Sequence, residues 1–128
     1  MGRFIIENNR LIGYDNDGLK SVDRMEVPEG VTHIDCGGVF SNIKEVKTLI
    51  LPKSLRSMRL LGYYDRVEFD EVIFKDPKGW ARVGYTDWAG QRMEERVSES
   101  VMADSKECRK YMRFKGSSCG SYDDLEKL

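Results

Sequence analysis

A single histidine, three prolines and three cysteines are spread over 128 residues, and each scarcity excludes something. With His33 alone available, a Ser-His-Asp or Cys-His nucleophile must use it or not exist. Cys36, Cys108 and Cys119 are widely spaced and odd in number, which suits a reducing compartment better than a disulfide framework. They also lack the close spacing of a zinc site, and no second histidine can complete one. Apolar runs stop at three residues, as at Phe4–Ile6 and Leu49–Leu51, against the roughly 20 needed to cross a bilayer. Neither a membrane span nor a secretory h-region is visible, so a cytoplasmic location is expected. Charge of one sign is not in excess: 21 Lys and Arg face 22 Asp and Glu, for a net charge of −1. The total therefore points neither to a nucleic-acid coat protein nor to an acidic tail.

Leu, Ile, Val and Phe together number 31, enough for a charged chain of this length to fold, and the length suits one domain. Within it runs an internal repeat. Val27-Pro28-Glu29-Gly30-Val31-Thr32-His33-Ile34 recurs 24 residues later as Leu51-Pro52-Lys53-Ser54-Leu55-Arg56-Ser57-Met58. A looser copy follows at Phe74, Pro77, Trp80 and Val83. Before each proline stands an alternating apolar pair, Met25 and Val27, Leu49 and Leu51, Val72 and Phe74, the period of a strand buried on one face. Proline fixes φ and donates nothing to a ladder, so each strand must end there and the chain must turn. A second apolar set, Val39-Phe40 with Ile43 and Val46, then Tyr63-Tyr64 with Val67 and Phe69, implies two walls per repeat. Strands stacked in register, about 4.8 Å apart, would align Val27, Leu51 and Phe74 in one column of a continuous core.

The phrase Val-Pro-Glu-Gly-Val-Thr-x-Ile, then Val39-Phe40 and Leu49-x-Leu51-Pro52-x-Ser54-Leu55-x-Ser57-Met58, resembles the BspA-like leucine-rich repeat of bacteria and their phages. Phe4 to Tyr14 is similar to the N-terminal hairpin of that family, with Asn8-Asn9 as a favourable tight turn, and Gly79-Trp80 matches the step that follows its last repeat. The family's Ala-Phe is Val39-Phe40 and then Tyr63-Tyr64 here, and its following Cys is absent. The resemblance implies a mostly β fold with a small α part: about three rungs, an N-terminal β-hairpin cap and a C-terminal hairpin or helix cap. The expected divisions are a hairpin cap over 1–22, repeats over 23–84, a C-terminal cap over 85–114 and a flexible tail over 115–128.

After Asp87 two readings compete. Ala89, Met93, Val97 and Val101 are spaced as one helix face, whereas a hairpin from Trp80 to Val97 would turn near Ala89-Gly90. The resemblance favours the hairpin. A closing helix is expected next, capped by Asp104 or Ser105 and burying Cys108, Tyr111 and Met112. The polar stretch Gly116 to Asp124 has little apolar periodicity, hence the tail.

Groups that could carry chemistry are few. His33 falls opposite the core residues Val31 and Ile34, level with Ser57 of the next repeat, as a solvent-facing side chain. Asp15-Asn16-Asp17-Gly18 looks like the start of a calcium loop, but its Gly comes two places early, and a plain turn is expected. Gly37-Gly38 and Gly116 are not expected to follow a strand and open a helix as a phosphate loop would. Asp70-Glu71, Glu94-Glu95 and Asp123-Asp124 are adjacent pairs, which in a strand point to opposite faces. The expectation is therefore a non-enzyme without metal or cofactor.

Charge does sort along the chain: residues 31–62 carry five basic and only two acidic groups. The candidate partner-binding residues are Lys44, Lys47, Lys53, Arg56 and Arg59, with Lys78 expected beside Lys53. A second basic line is Lys106, Arg109 or Lys110, and Arg113. Either could meet an acidic protein face or phosphates. The sequence thus suggests a protein-binding module, such as a phage-encoded or mobile-element-encoded inhibitor of a host protein. A nucleic-acid binder and a relative of bacterial surface adhesins are the alternatives.

Overall fold

Asn8 and Asn9 both take positive φ, 52° and 64°, in the computed structural model, and they turn strand β1 (Arg3–Glu7) back onto β2 (Arg10–Asp15). The structure describes residues 3–60, 67–85, 89–112, 115–117 and 120–128. It is mostly β with a small α part. The remaining strands are β3 (Ser21–Glu26), β4 (His33–Asp35), β5 (Glu45–Leu51), β6 (Ser57–Arg59), β7 (Glu68–Phe74), β8 (Trp80–Tyr85), β9 (Arg92–Arg96), β10 (Lys115–Ser117) and β11 (Gly120–Lys127). Two short helices, α1 (Cys36–Val39) and α2 (Glu99–Ala103), and a 3-10 helix (Cys108–Met112) complete the described elements.

The strands form two sheets. In the smaller, β3, β5 and β7 pair in parallel, so that Met25, Leu49 and Val72 are neighbours, as are Val22, Val46 and Phe69. In the larger, β2, β4 and β6 are also parallel, with Leu11, Ile34 and Met58 in one row. The chain alternates between the sheets through the prolines: Pro28 O accepts from Val31 N–H and Pro52 O from Leu55 N–H. Ser54 ties the two turns together, its hydroxyl accepting from Gly30 N–H (2.9 Å) and donating to Val31 O (2.8 Å). One apolar cluster draws on both sheets, with Phe40 edge-on to Phe69 and Phe74 edge-on to Trp80.

The far edge of β7 is closed by the segment around the 3-10 helix. Ser105 O accepts from Val72 N–H, the Cys108 thiol donates to Val72 O, and Arg109 donates to Phe69 O. Asp104 caps the helix by accepting from the N–H groups of Lys106 and Glu107, which holds its carboxyl below the usual range. Between Trp80 and Val97 the hairpin reading holds: β8 and β9 are antiparallel, with Ala81 opposite Arg96 and Val83 opposite Glu94. Met93 is therefore a strand residue, and the four-residue spacing that suggested a helix ends in α2 with Val101.

The C-terminal segment corrects the sequence reading. Residues 120–127 are not a flexible tail but strand β11, inserted antiparallel between β6 and β8. Leu125 is fully buried, opposite Met58 on one side and Arg82 on the other. A strand with a neighbour on each side satisfies its backbone whatever its side chains, so a polar sequence is tolerated provided one residue reaches the core. As a result β8 does not lie beside β6, and the neighbour of Met58 is Leu125 rather than Val83.

The end of β11 is fastened to the Pro77 turn. Gly79, at φ 78°, accepts through its carbonyl from Leu128 N–H, and a Cβ there would stand 3.1 Å from Leu128 O. Lys127 forms an ion pair with Asp76 and lies over the Trp80 ring. That contact, followed by the Lys78 N–H, holds the Asp76 carboxyl below its ordinary 3.8. A lowered folded-state pKa contributes stability above the unfolded value and loses it as pH falls through the folded one. Asp76→Asn should therefore melt below the wild type at neutral pH, and the gap should close well below pH 3.8. A gap that is the same at every pH in thermal scans would remove the carboxylate from this account.

Candidate interaction surface

Leu11, Ile34, Met58 and Leu125 point into the core, so the residues on either side of each point out. The outer face of the larger sheet consequently carries two ranks. One runs Arg10, His33, Ser57, Glu126, and the other Asp35, Arg59, Asp124, with Ile12 beside Asp35 in sequence register. On β8 the matching positions are Ala81 and Val83, both buried, with Arg96 and Glu94 of β9 opposite them. Arg92 reaches Glu126 (3.6 Å) and Glu94 (3.9 Å), and Arg96 reaches Glu94 (3.5 Å).

Ser57 is the shortest side chain in its rank, and the surface dips around it. The depression measures about 410 Å³ and is lined by Arg10, Ile12, His33, Ile34, Asp35, Ser57, Arg59 and Asp124. His33 is half-buried, with Nδ1 2.8 Å from the Thr32 hydroxyl. It is level with Ser57, as the repeat predicts. Arg10 and Arg59 share the face with Asp35, Asp124 and Glu126, which gives it no single sign.

Of the six residues singled out by charge, only Arg59 lines this depression. Lys47 lies on the smaller sheet, 3.5 Å from Asp23. Lys44 precedes β5, its N–H donating to Lys20 O, and its side chain is exposed. Lys53 and Arg56 occupy the Pro52 turn, where Lys53 N–H donates to Glu29, and Lys78 occupies the Pro77 turn. The six are thus divided among two sheets and the turns between them.

The second basic line meets the first at one place. Lys47 shares a depression of about 380 Å³ with Thr48, Asp70, Glu71, Lys106 and Arg109. Arg109 donates to the carbonyls of Phe69 (2.9 Å) and Asp70 (3.3 Å), and Lys110 pairs with Glu107 at 2.7 Å. Arg113 and Cys119 lie outside the described residues.

The other candidates have structural places. Cys36 and Cys108 are fully buried; burial pushes the Cys36 thiol up and raises that of Cys108 to about 12, so neither is a ready nucleophile. Asp15 to Gly18 is a turn in which Asp15 accepts from Asp17 N–H and Asn16 O accepts from Leu19 N–H. Among the described residues no three His, Cys, Asp or Glu side chains converge to hold a metal, and no helix is long and apolar enough to cross a membrane.

Asp124 and Glu126 belong to the larger face and were hidden in the expected tail. One signal could have found them. Asp124-Leu125-Glu126 is the same polar–apolar–polar triplet as His33-Ile34-Asp35 and Ser57-Met58-Arg59. Compared with known proteins, the chain matches no family model, no curated protein and no solved structure.

Proposed function

We propose that the chain is a short leucine-rich-repeat-like stack of the BspA-like kind, and that it binds another protein through the outer face of its larger sheet. The repeat reading is supported by parallel neighbours displaced 23 or 24 residues in both sheets, with proline turns between them. The observation that carries the binding reading is the mixture of sign around the His33–Ser57 depression. Arg10 and Arg59 line it together with Asp35 and Asp124, and Glu126 is the next residue beyond Ser57 in its rank. A polyphosphate needs an uninterrupted positive track, whereas mixed charge over a broad, rigid sheet suits the mixed surface of a protein. In this reading the activity is non-catalytic: the hydroxyls beside His33 are those of Thr32, at 2.8 Å, and of Ser57 in register, and both described thiols are buried. A small binder of this kind fits a phage-encoded or mobile-element-encoded inhibitor that occupies the surface of a host or defence protein.

The test uses the full chain as bait in bacterial lysate. A stoichiometric protein should be captured by the wild type, lost by roughly tenfold or more with Arg59→Glu, and retained with Lys47→Glu and Lys53→Glu. Capture that depends on Lys47 and Lys53 instead would move the site to the basic segment. Retention of a mixed-sequence DNA duplex that falls steeply with salt, with no protein recovered, would replace the reading with nucleic-acid binding.

A further inference from the structure

The larger sheet ends in two strands of unlike character. At one end β9 reads Arg92-Met93-Glu94-Glu95-Arg96, at the other β1 reads Arg3-Phe4-Ile5-Ile6-Glu7. Among the described residues no strand pairs with the outer edge of either. Edge strands of natural sheets are usually blunted by charge, and β9 follows that practice. β1 does not. Three of the exposed large apolar residues, Ile5 (50%), Ile6 (44%) and Ile12 (38%), lie on the β1–β2 hairpin. The extra residue of its β-bulge is in β2, where the partners step from Gly13 to Leu11, so β1 itself is an unbroken strand.

We infer that β1 pairs antiparallel with β1 of a second copy about a two-fold axis at Ile5, joining two larger sheets into one. Residues directly opposite in an antiparallel pair share a face. Centring on Ile5 sets Arg3 against the second copy's Glu7, Phe4 against its Ile6, and Ile5 against its own counterpart. All five residues then find a partner, and the two-fold makes the Arg3–Glu7 contact twice. Within the hairpin Arg3 is opposite Asp15 and Glu7 opposite Arg10, so the row across the joint reads Arg10, Glu7, Arg3, Asp15, alternating in sign throughout. Centring on Phe4 would set Arg3 against the second copy's apolar Ile5 instead of its Glu7. At β9 the same operation centred on Glu94 sets Arg92 against Arg96 and Glu94 against Glu94, like against like, whereas centred on Met93 it sets Arg92 against Glu94. The two-fold at β1 occupies that edge in both copies, so the association through β1 closes at two copies. A single five-residue strand pair is a small interface, and the dimer should be concentration-dependent.

Sedimentation equilibrium of the full chain, with no partner present, tests this apart from the binding reading. The wild type should shift from monomer to dimer with concentration. Arg3→Glu and Glu7→Arg should each raise the dissociation constant roughly tenfold or more, and the double swap should restore association. Because the swap also alters pairs inside the hairpin, a second measurement reads the register directly. In a Cys119→Ser background, Ile5→Cys should oxidise readily to a disulfide-linked dimer, being opposite itself, whereas Ile12→Cys should not. A wild type that stays monomeric at millimolar concentration, or equal crosslinking at both positions with far-UV circular dichroism unchanged, would overturn the inference.

Discussion

Removing residues 120–128 should unfold the chain rather than trim it. β11 is hydrogen-bonded on both sides, to β6 and to β8, and its loss would turn both into edges. It would also uncover Met58 and Trp80, each buried to 2% exposure or less. Buried Leu→Ala changes alone cost about 2–5 kcal/mol, against a total stability of about 5–15 kcal/mol for an ordinary domain. Each lost ladder bond adds about 1 kcal/mol. Leu125→Ala should therefore lower the melting temperature by roughly 10 °C, and the truncated chain should show no cooperative transition at all. The measurement is thermal unfolding by circular dichroism. A truncated chain that melts like the intact one would show that β11 is dispensable.

Gly38→Ala is the second large effect, and it arises from backbone rather than from a missing side chain. A Cβ at Gly38 would lie 2.2 Å from the carbonyl oxygen of Ile12, a contact no rotamer can relieve because neither atom belongs to a flexible side chain. Either α1 must move off β2 or β2 must bend. Overpacking of this kind costs about 1–3 kcal/mol and more where the backbone has to shift. Gly90→Ala is the proper control: its φ is 62°, but nothing lies within 4 Å, so only the left-handed backbone penalty of about 1–2 kcal/mol applies. Gly38→Ala should melt below Gly90→Ala. Equal melting temperatures would mean that α1 slides away without cost.

Contrary to the sequence reading, Gly37-Gly38 lies in the short helix α1 directly after β4, and Gly38 serves the close approach of chain to chain at Ile12 O. Much else was legible for local reasons. Asn8-Asn9 announced the first hairpin because few other residues tolerate positive φ twice in a row, and Asp104 announced the 3-10 helix because its carboxylate serves two N–H groups. The pairing of His33 with Ser57 followed from the repeat alone. The candidate surface was less legible. Arg56 and Arg59 are three residues apart, yet one belongs to a turn and the other to a strand face, so a segment's net charge did not become a patch. β11 was missed because a strand with two neighbours needs only Leu125 to be apolar, and a single leucine among charges carries almost no periodicity.

The place of β11 also orders the assembly of the protein. Arg59 of β6 pairs with Asp124, and Trp80 of β8 pairs with Lys127, so both neighbours leave the ribosome well before the strand that joins them. During synthesis the smaller sheet can form progressively from contacts about two dozen residues apart, while the larger one waits with a gap at its centre. A nascent chain in that interval presents Met58 and the β6 edge to whatever is nearby, and it is then that the protein is most exposed to chaperones and to misassembly.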